Sequence, residues 1–95
     1  MRTTEHVFGH RPVSLRVVVA PGPGRVRLLP PRRFADGREL VERGQPVARL
    51  VQGNREIDIV SPVSGRVSSV LALDGEPLVA GQPVMAIEPE AEPTS

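Results

Sequence analysis

The 95-residue sequence contains no cysteine, no lysine, no tryptophan and no tyrosine. Without cysteine there is no disulfide framework, no thiolate metal site and no thiol nucleophile, so packing alone has to hold the chain together. Without lysine, all twelve basic residues are arginine, and no side chain carries a primary amine. Only Phe8 and Phe34 are aromatic, which removes the stacking platforms that single-strand nucleic-acid binders use. A net charge of +1 is too small to argue for a phosphate backbone as partner, so nucleic acid is not expected. No stretch approaches the ~20 apolar residues that span a bilayer, and residues 1–10 lack a long apolar run. The expectation is a soluble, cytoplasmic protein with no membrane association.

Catalytic constellations are equally sparse. His6 and His10 stand four apart, a spacing that places two imidazoles on one helical face, but no third ligand accompanies them and Phe8-Gly9 argues against a helix. No histidine occurs from Pro12 onward, so Ser61, Ser64, Ser68 and Ser69 have no base with which to form a hydrolase triad. Asp36-Gly37 and Asp74-Gly75 read as turns rather than as an acid-base pair. No catalytic residue, no metal and no cofactor are expected, and the chain is not expected to be an enzyme.

What is present is an aliphatic chain with regular punctuation. Apolar residues make up 39% of it, and nine glycines and eleven prolines are spread between apolar runs at 15–20, 25–29, 47–51, 56–60, 66–73 and 84–87. These runs are rich in β-branched residues and none sustains a helical period, which predicts an all-β domain. Residues 1–12 read as a flexible N-terminal segment, 13–89 as the domain, and the acidic, Pro-containing residues 90–95 as a disordered tail.

The domain repeats itself. Ala20-Pro21-Gly22-Pro23-Gly24-Arg25-Val26 matches Ser61-Pro62-Val63-Ser64-Gly65-Arg66-Val67 at an offset of 41 residues. Asp36-Gly37 matches Asp74-Gly75 at 38, and Gly44-Gln45-Pro46-Val47 matches Gly81-Gln82-Pro83-Val84 at 37. The falling offset marks an insertion of about four residues in the first half, around Pro30-Pro31-Arg32-Arg33. Two halves too short to fold alone are expected to share one core about a pseudo-twofold axis.

In order, spacing and duplication these elements resemble the biotinyl/lipoyl-attachment superfamily, the carrier domains of the biotin carboxyl carrier and lipoyl type. The resemblance implies a barrel-sandwich hybrid of two packed four-stranded antiparallel sheets, about eight strands in all, with a tight hairpin bearing the modified lysine. The acceptor lies ten residues after the glycine of the first motif and eight before the proline of the last. Counted from Gly44 and from Pro62, both place Asn54 at that position. Gly53 precedes it where lipoyl domains commonly carry Asp and biotinyl domains Met. Arg55, the neighbouring candidate, is no substitute, because a guanidinium stays protonated and is not an amine nucleophile. Gly-Asn is also a good turn pair in its own right.

The inserted loop 30–34 admits two readings. Phe34 plugs the barrel end with arginines in water, or the loop stands beside the hairpin and gathers Arg32, Arg33, Phe34, Asn54 and Arg55 into a basic, partner-binding patch for an acidic protein surface. The functional expectation is a non-catalytic, unmodified protein-binding or scaffold module. Two alternatives stand beside it: a degenerate biotin carboxyl carrier-like subunit of an acyl-CoA carboxylase, and a lipoyl-like fragment of an efflux-pump membrane-fusion adaptor. The last would require a helical hairpin between the halves and a membrane anchor.

Overall fold

The computed structural model describes residues 14–90, and within them every regular element is a β-strand. The strands are β1 (Arg16–Val19), β2 (Gly24–Leu28), β3 (Arg33–Ala35), β4 (Arg38–Val41), β5 (Pro46–Gln52), β6 (Arg55–Val60), β7 (Gly65–Val70), β8 (Pro77–Leu78) and β9 (Pro83–Pro89). They form two antiparallel sheets, a five-stranded one in the order β1-β9-β7-β4-β3 and a four-stranded one in the order β6-β5-β2-β8. The all-β barrel-sandwich expectation holds; the expected four-plus-four count does not. The fifth strand of the larger sheet is β3, which lies inside the inserted segment expected to be a loop. Pro30 and Pro31 cannot donate to a ladder and interrupt the chain after β2, but Arg33–Ala35 then pairs with β4.

Apart from β3, the two halves are topological copies. β1, β2, β4 and β5 correspond to β6, β7, β8 and β9. Each pairing in one half has its counterpart in the other: β1 with β9 mirrors β6 with β5, β2 with β5 mirrors β7 with β9, and β2 with β8 mirrors β7 with β4. The turn hydrogen bonds repeat as well. Ala20 N–H donates to the Gln82 carbonyl and Ser61 N–H to the Gln45 carbonyl, both at 2.9 Å. The Gln45 side-chain oxygen accepts from Glu42 N–H at 3.0 Å, and that of Gln82 accepts from Val79 N–H at 3.1 Å. The duplicated Gly-Gln-Pro-Val is therefore a turn stapled by its own glutamine.

Alternation along the strands fills one aliphatic core between the sheets. Val26, Ala48, Leu50, Val84 and Ile87 are fully buried at its centre. Ser61 is also fully buried, and its hydroxyl donates to the Val63 carbonyl at 2.6 Å, which offsets the cost of desolvating it. Asp36 and Asp74, matched by the repeat, behave differently. Asp36-Gly37 closes the β3–β4 hairpin with both residues at positive φ, 53° and 77°. Asp74 instead accepts a hydrogen bond from Leu28 N–H at 2.8 Å and ties the β7–β8 turn to the end of β2.

Candidate functional site

The hairpin stands where the sequence places it. β5 and β6 pair in register from Ala48 opposite Ile59 to Gln52 opposite Arg55, which leaves Gly53 and Asn54 as a two-residue exposed turn. Gly53 has φ of 61°, whereas Asn54 is not among the residues of positive φ. Only the first turn position thus needs glycine, the arrangement of a type II′ hairpin. Gly-Asn is thus the good turn pair that the sequence suggests, with the left-handed backbone carried by Gly53 alone and Asn54 presented at the tip. The base of the hairpin is fixed by the Gln52 side chain, whose amide donates to the Pro23 carbonyl at 2.8 Å. Beside it lies a shallow depression lined by Pro23, Arg25, Val51, Gln52, Pro77 and Leu78. The neighbour of the tip is therefore the turn between β1 and β2 together with β8.

The inserted segment is elsewhere. β2 runs antiparallel to β5, with Leu28 opposite Ala48 and Arg25 opposite Val51, so the chain leaves β2 at the Pro46 end of β5. Arg32 and Arg33 line a hollow with Leu40, Arg43 and Pro46. The tip lies at the other end of β5, six residues on, or about 20 Å at a strand rise of ~3.3 Å. The expected patch of Arg32, Arg33, Phe34, Asn54 and Arg55 is consequently not assembled. It divides into a tip carrying Asn54 and Arg55 and an opposite end carrying Arg32, Arg33 and Phe34. The physical reason is the parity of strand reversals: an excursion between β2 and β3 emerges at the start of β5, not at its finish.

Nor does Phe34 plug the barrel. Its side chain is 62% exposed and stands opposite Glu39 on the β3–β4 ladder. Glu39 is half-buried there, and desolvation raises its pKa above the ordinary carboxylate value. Arg33 is held by Glu42 at 2.9 Å, which compensates its charge. Arg43, which sequence reasoning passed over, joins the hollow from the β4–β5 turn. A signal for it exists: its repeat-equivalent is Ala80, so the charge at 43 is not something the duplicated fold requires. Among the described residues no group of three or more His, Asp and Glu is placed to hold a metal, and no helix is long and apolar enough to cross a membrane. The His6 and His10 pair lies outside the described residues.

No curated protein matches the chain. The model of the family described as Biotin-requiring enzyme matches residues 34–87, a span that runs from β3 into β9 and includes the hairpin tip. With more than half of the chain matched, and with two duplicated sheets presenting a two-residue hairpin at the predicted place, the chain belongs to the biotinyl/lipoyl-attachment domain family.

Proposed function

We propose that this chain is a non-catalytic, unmodified member of that family, working as a protein-binding or scaffold module. The observation that carries the reading is Asn54 at the exposed tip of the β5–β6 hairpin, where the family's acceptor lysine belongs. Attachment of biotin or lipoate forms an amide bond and needs an amine lone pair. The carboxamide nitrogen of Asn54 has its lone pair delocalised into the carbonyl, and the Arg55 guanidinium stays protonated. Neither can attack an activated acyl group, and no lysine occurs elsewhere in the sequence to replace them.

The test is direct. The 95-residue chain, coexpressed with a biotin ligase or a lipoate ligase, should show its encoded intact mass, allowing for loss of Met1. A gain of the mass of either cofactor on this chain overturns the proposal. The Gly53→Asp/Asn54→Lys variant should accept lipoate in the same experiment, because the hairpin frame is that of a carrier and Asp tolerates positive φ better than most residues.

For a protein partner, the hollow lined by Arg32 and Arg43 is the better candidate surface. It brings together two guanidiniums that make no ion pair with another described residue, and their forked donors suit the carboxylates of an acidic surface. Arg32→Ala/Arg43→Ala should weaken capture of such a partner and flatten its salt dependence. Exposed charges contribute at most about 1 kcal/mol to stability, so folding should be nearly unchanged. Equal capture by variant and wild type across salt concentrations removes this assignment.

A further inference from the structure

Beyond β9 the chain continues from a point beside the arginine hollow. Glu90 N–H donates to the Ser64 carbonyl at 3.0 Å, and the Ser64 hydroxyl accepts from Arg43 N–H at 3.0 Å. One serine just before β7 thus holds both the exit of β9 and the β4–β5 turn. The order β9-β7-β4 puts β9 two strands from β4, about 10 Å at the usual strand spacing. Residues 90–95 read Glu-Ala-Glu-Pro-Thr-Ser, with two carboxylates and no basic residue. An extended residue covers about 3.5 Å, so Glu92 can cross most of that gap from the anchored Glu90, and the long side chains of Arg43 and Arg32 can meet it.

The charges match. The hollow is lined by three arginines, Arg32, Arg33 and Arg43, and by one carboxylate, Glu42. Glu42 is taken by Arg33 at 2.9 Å, and neither Arg32 nor Arg43 is in an ion pair with a described residue. Two positive charges are left over, and the segment that starts beside them brings Glu90 and Glu92. The internal repeat supplies the comparison. Arg43 corresponds to Ala80, Ser64 to Pro23 and Glu90 to Gly53. At that end of the molecule the strand exit turns directly back into β6, and no charge stands at position 80. The arginine occurs only at the end where an acidic segment departs.

We infer that the acidic segment beginning at Glu90 is an intramolecular ligand of this hollow, with the Glu92 carboxylate held by Arg32 and Arg43, and that an acidic partner has to displace it. The inference rests on the reading of the hollow as a carboxylate site and adds its regulation. Guanidinium forks donate to a carboxylate in pairs, but an exposed pair is weak by itself. Tethering changes the balance. A ligand two residues from a fixed anchor has an effective concentration in the millimolar range or above, which populates a contact too weak to form between separate molecules. A partner surface that presents several carboxylates together then wins by number, and salt screens segment and partner alike.

The arginine Nε–Hε resonances of the isotopically labelled 95-residue chain test it. At low salt, Glu92→Gln should move the resonances of Arg32 and Arg43 and leave in place those of Arg27 and Arg49, which pair with Glu56 and Asp58 on the other sheet. At about 1 M salt, where the Debye length is ~3 Å, wild type and variant should coincide. Arg32 and Arg43 resonances that stay unmoved at low salt overturn the inference. A hexaglutamate peptide is the probe of competition. Glu90→Gln/Glu92→Gln should bind it about threefold more tightly than the wild type does, and equal affinity of the two forms for the peptide overturns the inference. A peptide that binds neither form, with the Glu92→Gln shifts present, supports the intramolecular contact and overturns the acidic-surface reading instead.

Discussion

At position 65 a single methyl group decides whether β7 and β9 can pair. A Cβ on Gly65 would overlap the Glu88 backbone carbonyl, and one on Gly24, its equivalent in the first half, would stand 2.6 Å from the Val51 carbonyl oxygen. Gly24 also holds φ of 153°, a backbone few other residues adopt. The repeated Gly-Arg-Val is thus a requirement of close strand approach rather than of turn geometry. Neither neighbour can yield, because both are backbone atoms inside a ladder. Gly65→Ala should lower stability by about 1–3 kcal/mol, the usual cost of overpacking, read as a fall in the urea midpoint at unchanged slope. An unchanged midpoint would mean that β9 shifts without cost. The sequence showed that this glycine recurs; the reason lies in Glu88, 23 residues away.

Among the elements, the β5–β6 hairpin was the most legible, since Gly44 and Pro62 both pointed to its tip and alternating apolar residues flank it. β1, β2, β7 and β9 were legible for the same reason. β3, β4 and β8 were not, being two to four residues long, too short for alternation to declare itself against the surrounding turns. The duplicated Gly-Gln-Pro-Val was recognised as a turn without its mechanism, which is the glutamine oxygen reaching back to the N–H three residues earlier. Gln45→Ala and Gln82→Ala should each cost about 0.5–1.5 kcal/mol, the net worth of one hydrogen bond, and should cost similar amounts because the turns are equivalent. Chemical denaturation of the two variants side by side checks this. A loss at one position only would show that the symmetry of the fold is not a symmetry of energy.

For the whole molecule, stability against pH carries a signature from the β3–β4 end. Burial raises the Glu39 pKa above 4.5, so in the interval above that value the folded chain keeps a proton that the unfolded chain has released. The stabilising contribution is complete below the unfolded pKa and is lost as pH rises through the raised one. Glu39→Gln stays neutral throughout and escapes this loss. Its urea midpoint relative to wild type should therefore climb between acid and neutral pH, whereas a difference constant with pH would show that Glu39 does not titrate differently on folding. By itself the sequence determined the β class, the internal repeat, the aliphatic core and the tip at Gly53-Asn54, because each is written in local alternation, turn residues or self-similarity. Tertiary structure alone decided that Arg32 and Asn54 stand at opposite ends, that Phe34 is exposed beside Glu39, and that β1, β3, β6 and β8 are the sheet edges among the described residues. Those facts follow from which strands pair across long separations. A local pattern fixes the face a side chain takes, but not the end of the barrel at which its strand arrives.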